Sequence, residues 1–261
     1  MNEEKPKIIR SAMIVATKDG LDSIPEMFGN TYLSKFSKGD PDYWSKLHGM
    51  LYGGGRLRKF ASCFEDIVEK FSFAGIARDQ ISEHETRKDY QKIYIVKYHL
   101  YSYIFLIKSF LDACAVFINE TYGLNVKGSN IAFDKKKFIS ALDVVNPALT
   151  KQLAERSEWT NLVVQYRTNL IHKHGLYVGP IPTVPNSMTD PQEVDRYILE
   201  QPHYMPNDPD FVIDKIYDGQ EGEFVMVTVL VDEWIDEAYR FLNLVLSSFT
   251  TSFELDDPNE S

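Results

Sequence analysis

The stretch Lys88 to Tyr122 carries the longest helical pattern in the chain, and it limits the fold more than any other segment. Its apolar positions Tyr94, Tyr98, Tyr101, Phe105, Lys108 (through its aliphatic stem), Leu111, Ala115 and Ile118 recur at helical spacing. Gly123 directly after Thr121-Tyr122 suits a helix C-terminus. Lys97, His99, Lys108 and Asp112 interrupt the apolar run, so it falls short of the roughly 18 residues that span a bilayer. A soluble helix of this length needs partners to cover its apolar side.

Those partners are legible elsewhere. Residues 57 to 72 place Leu57, Phe60, Phe64, Ile67, Val68 and Phe71 on one helical face. A shorter helix is predicted over 135 to 145, stopped by Asn146-Pro147. Between Leu149 and His174, Trp159, Leu162, Val163, Tyr166 and Leu170 form one continuous face. Prolines crowd the chain from Pro180 to Pro209, with a short helix expected near Gln192 to Leu199. The period then changes to two. Phe211 to Tyr217 and Phe224 to Val231, joined across Asp218 to Gly222, read as a β-hairpin. Asp232 is the expected N-cap of a last helix reaching Phe249, with Trp234, Ile235, Ala238, Phe241, Leu242, Leu244 and Val245 inward.

The expected fold is mainly α: a helical bundle of four to five main helices, with a β-hairpin inserted before the last. Residues 1–56 are expected to be a helical and irregular segment packed on the core. Residues 57–261 would form the bundle, with its Pro-rich and hairpin insertion at about 176–231. Gly53-Gly54-Gly55 reads as a flexible break, because no Gly-Lys-Ser/Thr follows to make a phosphate loop.

Charge and cysteine usage narrow the functional classes. The net charge of -10 gives no broad basic face for gripping nucleic acid, so any action on RNA needs a local basic site. Cys63 and Cys114 sit within helical patterns and read as buried free thiols. With no signal-peptide apolar core at the start, the chain is expected in the cytoplasm, away from membranes.

Within this frame one local site carries chemistry. Tyr166-Arg167-Thr168-Asn169-Leu170-Ile171-His172-Lys173-His174-Gly175 joins a phosphate-binding cation to an imidazole near a helix end. Nine arginines and six histidines make such spacings common, and Arg78 and His84 match as well. That second pair lies among Asp79, Glu83 and Glu85, whose carboxylates would compete for the guanidinium. Five helical residues turn a side chain by about 140° net, so Arg167 and His172 converge only if the helix tightens or ends there.

Phe110-Leu111-Asp112-Ala113 on the long helix, followed by Trp159 and then Tyr166-Arg167-x-Asn169-x-x-His172, resembles the HEPN superfamily of α-helical domains. The resemblance covers roughly residues 57–175 and the closing helix. It implies a metal-independent endoribonuclease with its site across a homodimer, in a toxin or defence setting. It equally admits a non-catalytic relative that binds RNA or protein. In the enzyme, His172 exchanges protons with the ribose 2'-hydroxyl or the leaving oxygen, and Arg167 stabilises phosphate charge. Asn169 and Asp112 would orient them, with Tyr166 and His174 in support. Family members often carry Asn or Asp directly after the arginine; here Thr168 stands there, with Asn169 one place later. The resemblance implies a second copy of the chain, an RNA substrate and a protein partner or antitoxin.

No cofactor or metal is expected. His172-x-His174 puts two imidazoles on different faces without an acidic ligand nearby. The tyrosines around His99 could stack bases, although aromatics at helical spacing are mostly core.

Overall fold

In the computed structural model the described residues are 60–172, 176–180, 188–211 and 222–254. The chain divides after Ser62 into two units, and the second, Cys63–Ser261, holds almost all of the described residues. The expected packing of residues 1–56 on the core and the Gly53-Gly54-Gly55 break fall outside the described residues.

The described chain is mainly helical, with a small antiparallel hairpin before the last helix. In order it runs α1 (Ala61–Glu85), α2 (Gln91–Thr121), α3 (Lys136–Val145), α4 (Pro147–Ala154), α5 (Ser157–His172), α6 (Pro191–Glu200), β1 (Tyr204–Pro206), β2 (Phe224–Met226) and α7 (Val227–Glu254). Helix α2 ends where Gly123 takes a positive φ of 59°, with Tyr122 N–H donating to Ile118 and Leu124 N–H to Asn119. Asn146 stops α3 and at once caps α4, accepting from Leu149 N–H at 2.9 Å, with Pro147 at the first helical position. The segment Leu149 to His172 comprises the end of α4 and, after a turn at Glu155-Arg156, α5, which carries the whole Trp159 to Leu170 face. Asp190 caps α6 in the same way, ahead of Pro191.

Packing builds from α2. It lies against α5 and α7, and Phe110 meets Phe71 of α1 at 5.6 Å. Phe241 of α7 is fully buried and touches Phe110, Phe133 and Trp159 at ring distances of 6.3, 4.9 and 6.0 Å. One ring therefore joins α2, the loop before α3, α5 and α7. The Tyr103 hydroxyl, also fully buried, donates to Val231 carbonyl at 2.8 Å. Arg78 reaches Asp232 at 2.6 Å and Arg156 reaches Glu237 at 2.5 Å, clamping α1 and the turn before α5 to α7 near its start.

Two expectations are corrected here. The buried side of α2 is Val96, Leu100, Tyr103, Ile104, Ile107, Phe110 and Cys114, whereas Tyr94 and Tyr98 stand in solvent. Up to Phe105, the spacing that marks the helix in the sequence traces its outer flank. The second correction concerns Phe224 to Val231. Only Phe224–Met226 is strand, and it pairs with Tyr204–Pro206 in the register Tyr204↔Met226. Val227 to Val231 are helical, and Asp232 lies inside α7 instead of capping it. Val227, Leu230, Val231, Trp234 and Ile235 are all buried, so helical spacing of core contacts overrides the strand preference of a valine-rich run. The expected first strand, Phe211 to Tyr217, lies outside the described residues after Phe211.

Neither Cys63 nor Cys114 forms a disulfide, Cys63 being half-buried and Cys114 fully buried. Burial pushes the Cys114 thiol well above its usual range. By length and composition α2 could cross a membrane, but more than half of its most apolar stretch is covered within the fold.

Replacing Phe241 with alanine empties the point where four segments meet. Urea unfolding of Phe241→Ala should show a loss of about 3–5 kcal/mol. A loss under about 1 kcal/mol would mean that these rings do not form the common core.

Candidate functional site

Helix α5 carries the Arg167–His172 pair, and its regular course through His172 fixes where the two side chains leave the backbone. Val163, Tyr166 and Asn169 are buried, and Trp159, Leu162 and Leu170 are half-buried. Arg167 stands half-buried on one shoulder of that inner face. His172, about 140° further round the helix, is exposed on the other. Within one chain the helix therefore separates the two groups. Gly175 and His174 lie outside the described residues.

Neither Arg167 nor His172 has a hydrogen bond or ion pair among the described residues. For Arg167 this sets it apart. Arg78 holds Asp79 and Asp232, Arg87 holds Asp89, Arg156 holds Glu237, and Arg240 also reaches Glu237. Only Arg196, exposed on α6, shares the freedom of Arg167 among the described arginines. The guanidinium of the rival pair, Arg78 and His84, is spoken for by carboxylates, as its local sequence suggests.

The expected supporting residues have other occupations. Asn169 is buried, and its side-chain amide donates to Pro209 carbonyl at 2.5 Å and to Asp210 carboxylate at 3.0 Å. The Tyr166 hydroxyl donates to Pro206 carbonyl at 2.6 Å and lies 2.9 Å from Asn207 carbonyl. Its ring meets Trp234 edge-on at 5.6 Å. Together these two side chains, one helical turn apart, staple the segment after β1 onto α5. Asp112 pairs with Lys108 at 2.5 Å on α2. Neither Asn169 nor Asp112 hydrogen-bonds Arg167 or His172.

A second polar cluster escaped the sequence reading, because its members are far apart in the chain. Glu85 at the end of α1 accepts from His203 backbone N–H at 2.5 Å and lies 2.6 Å from its ring Nδ1. Buried Lys92 donates to Gln201 carbonyl at 2.9 Å. His203 is buried, and its Nε2 has no hydrogen-bond partner among the described residues. On α1, one residue before Glu85, His84 stacks on His99 at 5.8 Å with the rings almost parallel. Burial, and then the neighbouring His84, lower the affinity of His99 for its proton. Among the described residues no three His, Cys, Asp or Glu side chains gather as metal ligands.

Comparison with known protein families, with curated proteins and with solved structures finds no match to this chain.

The staple has a pH signature. Burial, and to a lesser extent Asp208, push the Tyr166 phenol well above its ordinary range. The folded state thus keeps this proton at pH values where the unfolded chain has released it. Its contribution to stability is complete below about pH 10 and is lost as pH rises toward the folded value. Tyr166→Phe should cost about 1–3 kcal/mol at pH 7, because the Pro206 and Asn207 carbonyls lose their donor. It should also flatten the decline of stability above about pH 10. An alkaline limb as steep as in the wild type would show that Tyr166 does not carry it.

Proposed function

We propose that this chain is a HEPN-like protein acting on RNA phosphodiesters without a metal ion, through Arg167 and His172. The observation that carries the reading is the guanidinium of Arg167, half-buried on α5 and without a carboxylate among the described residues. A cation held partly out of water and left unneutralised is a place for an anion to bind. His172, exposed and unpartnered among the described residues, is free to exchange protons. In the reaction the ribose 2'-oxygen attacks the adjacent phosphorus, and His172 takes its proton. The bond from phosphorus to the 5'-oxygen then breaks, His172 passes the proton it has taken to the leaving oxygen, and Arg167 offsets the charge on the phosphate. Because the two groups diverge on one helix, a second copy is needed to bring an opposing pair to the same phosphate. The buried thiol of Cys114, which forms no disulfide, supports a place for the protein in the reducing cytoplasm.

A specific observation favours a second reading, in which the protein is a non-catalytic module that binds RNA or a protein partner such as an antitoxin. Tyr166 and Asn169, which would assist catalysis, are bound to the chain after β1. On that reading α5 is a structural post.

One assay separates the two. Purified protein incubated with single-stranded RNA in EDTA should cut it. Arg167→Ala and His172→Ala should each abolish cutting while leaving the unfolding midpoint unchanged, since neither side chain has a described partner to lose. No cutting by the wild type, or cutting that survives both substitutions, sinks the nuclease.

A further inference from the structure

The chain after β1 makes a tight turn that displays two carboxylates. The Asp208 carbonyl accepts from Phe211 N–H at 3.1 Å, and its side chain accepts from Asp210 N–H at 2.8 Å. With Pro209 between them, both the turn and its acidic side chains are set locally. At its base Asn207 N–H donates to the Glu223 carbonyl at 2.8 Å, which ties the turn to the hairpin. Pro209 is buried, while Asp208 and Asp210 are exposed.

Helix α5 fixes where these charges stand. Asn169 holds the Pro209 carbonyl and the Asp210 carboxylate, and Tyr166 holds the Pro206 and Asn207 carbonyls. His172 is three residues beyond Asn169, so the two side chains are neighbours on the helix surface. Arg167, two residues before Asn169, leaves the helix about 160° away from it. The two shoulders of α5 therefore differ. The guanidinium faces no recorded carboxylate, whereas the imidazole stands beside Asp210 and its turn partner Asp208. No cation pairs with Asp208 among the described residues, so its charge stays exposed. After burial itself, Asp208 is the second cause that pushes the Tyr166 phenol up, which places this charge close to α5.

An RNA phosphate and a carboxylate compete for the same ground, since both are anions that accept hydrogen bonds. We propose that the turn Asn207 to Asp210 is an autoinhibitory contact, whose two carboxylates hold RNA phosphates off His172. This regulation rests on the proposed action at Arg167 and His172, and it applies whichever copy supplies the guanidinium. In it Asp210 takes, at Asn169, a place next to the imidazole that a phosphate oxygen has to enter.

Amide substitutions test it, because an asparagine at either position keeps the oxygen that accepts the described hydrogen bond. A fluorescently labelled single-stranded RNA in EDTA serves as the probe, with anisotropy reading binding and gels reading cutting. Asp208→Asn combined with Asp210→Asn should bind the RNA about tenfold more tightly, and cut it correspondingly faster at low RNA concentration. Glu120→Gln combined with Asp143→Asn removes as much charge from exposed positions on α2 and α3, and should change neither. Equal tightening by that control, or none by the turn variant, overturns the proposal. Should the turn variant lose the helical circular dichroism of the wild type, Asp210→Asn alone decides. A gain of about threefold then supports the contact, and no gain overturns it. Cutting that needs Arg167 and His172 but ignores the turn removes the autoinhibition and leaves the nuclease standing. Tighter binding by the turn variant, with no cutting by any form, removes the nuclease and keeps the turn as the guard of an RNA-binding face. RNA bound by neither protein overturns both.

Discussion

Burial of the inner side of α2 is the constraint on which the other elements depend. From Val96 to Ile118 that side is sealed, and it is reached from several helices, directly or through one ring. Phe71 approaches from α1, Phe241 and Phe249 from α7, and Trp159 and Phe133 are joined to it through Phe241. Burying a large aromatic or aliphatic side chain contributes about 1.5–3 kcal/mol, so this one helix side organises much of the folding free energy. Shape decides the details: an aromatic ring such as Phe241 can serve four segments at once only if each arrives at a fixed height.

That central post also determines how the irregular part of the chain is held. The segment following β1 has little regular structure, yet its carbonyls are not left to water. Tyr166 and Asn169 of α5 supply donors to Pro206, Asn207, Pro209 and Asp210. Before β1, Lys92 donates to the Leu199 and Gln201 carbonyls, and Glu85 accepts from His203. A buried backbone group without a partner is costly, so side chains of the rigid helices set the path of the loop. The hairpin β1–β2 is short because it has only to lead the chain into α7. Polar residues that look like parts of a reactive motif are thereby drawn into structural duty.

Acidity gives the remaining features their meaning. In a chain with ten more acidic than basic side chains, arginines are readily neutralised, and four of the described ones are. Arg167 escapes because its neighbours on α5 are Tyr166, Thr168 and, one turn away, Val163 and Leu170, none of them acidic. That freedom is visible only against the charge of the whole chain.

The sequence by itself determined where several of the helices begin or end. Gly123, Asn146-Pro147 and Asp190-Pro191 end or begin helices through backbone geometry and capping, which act within a few residues and are read locally. It also singled out Arg167 and His172 on one helix, and the capture of Arg78 by carboxylates. Tertiary structure decided what no local pattern contains. Two apolar lines run along α2, and only the arrangement of α5 and α7 selects the one through Leu100 and Ile107 as inner. Val227 to Val231 have strand-forming side chains, yet packing against Tyr103 and Tyr166 through Trp234 makes them helix. Asn169 is close in sequence to a reactive pair but is claimed by Pro209 and Asp210, far along the chain. Periodicity reports that a side is apolar; what covers it depends on contacts between residues far apart in the chain.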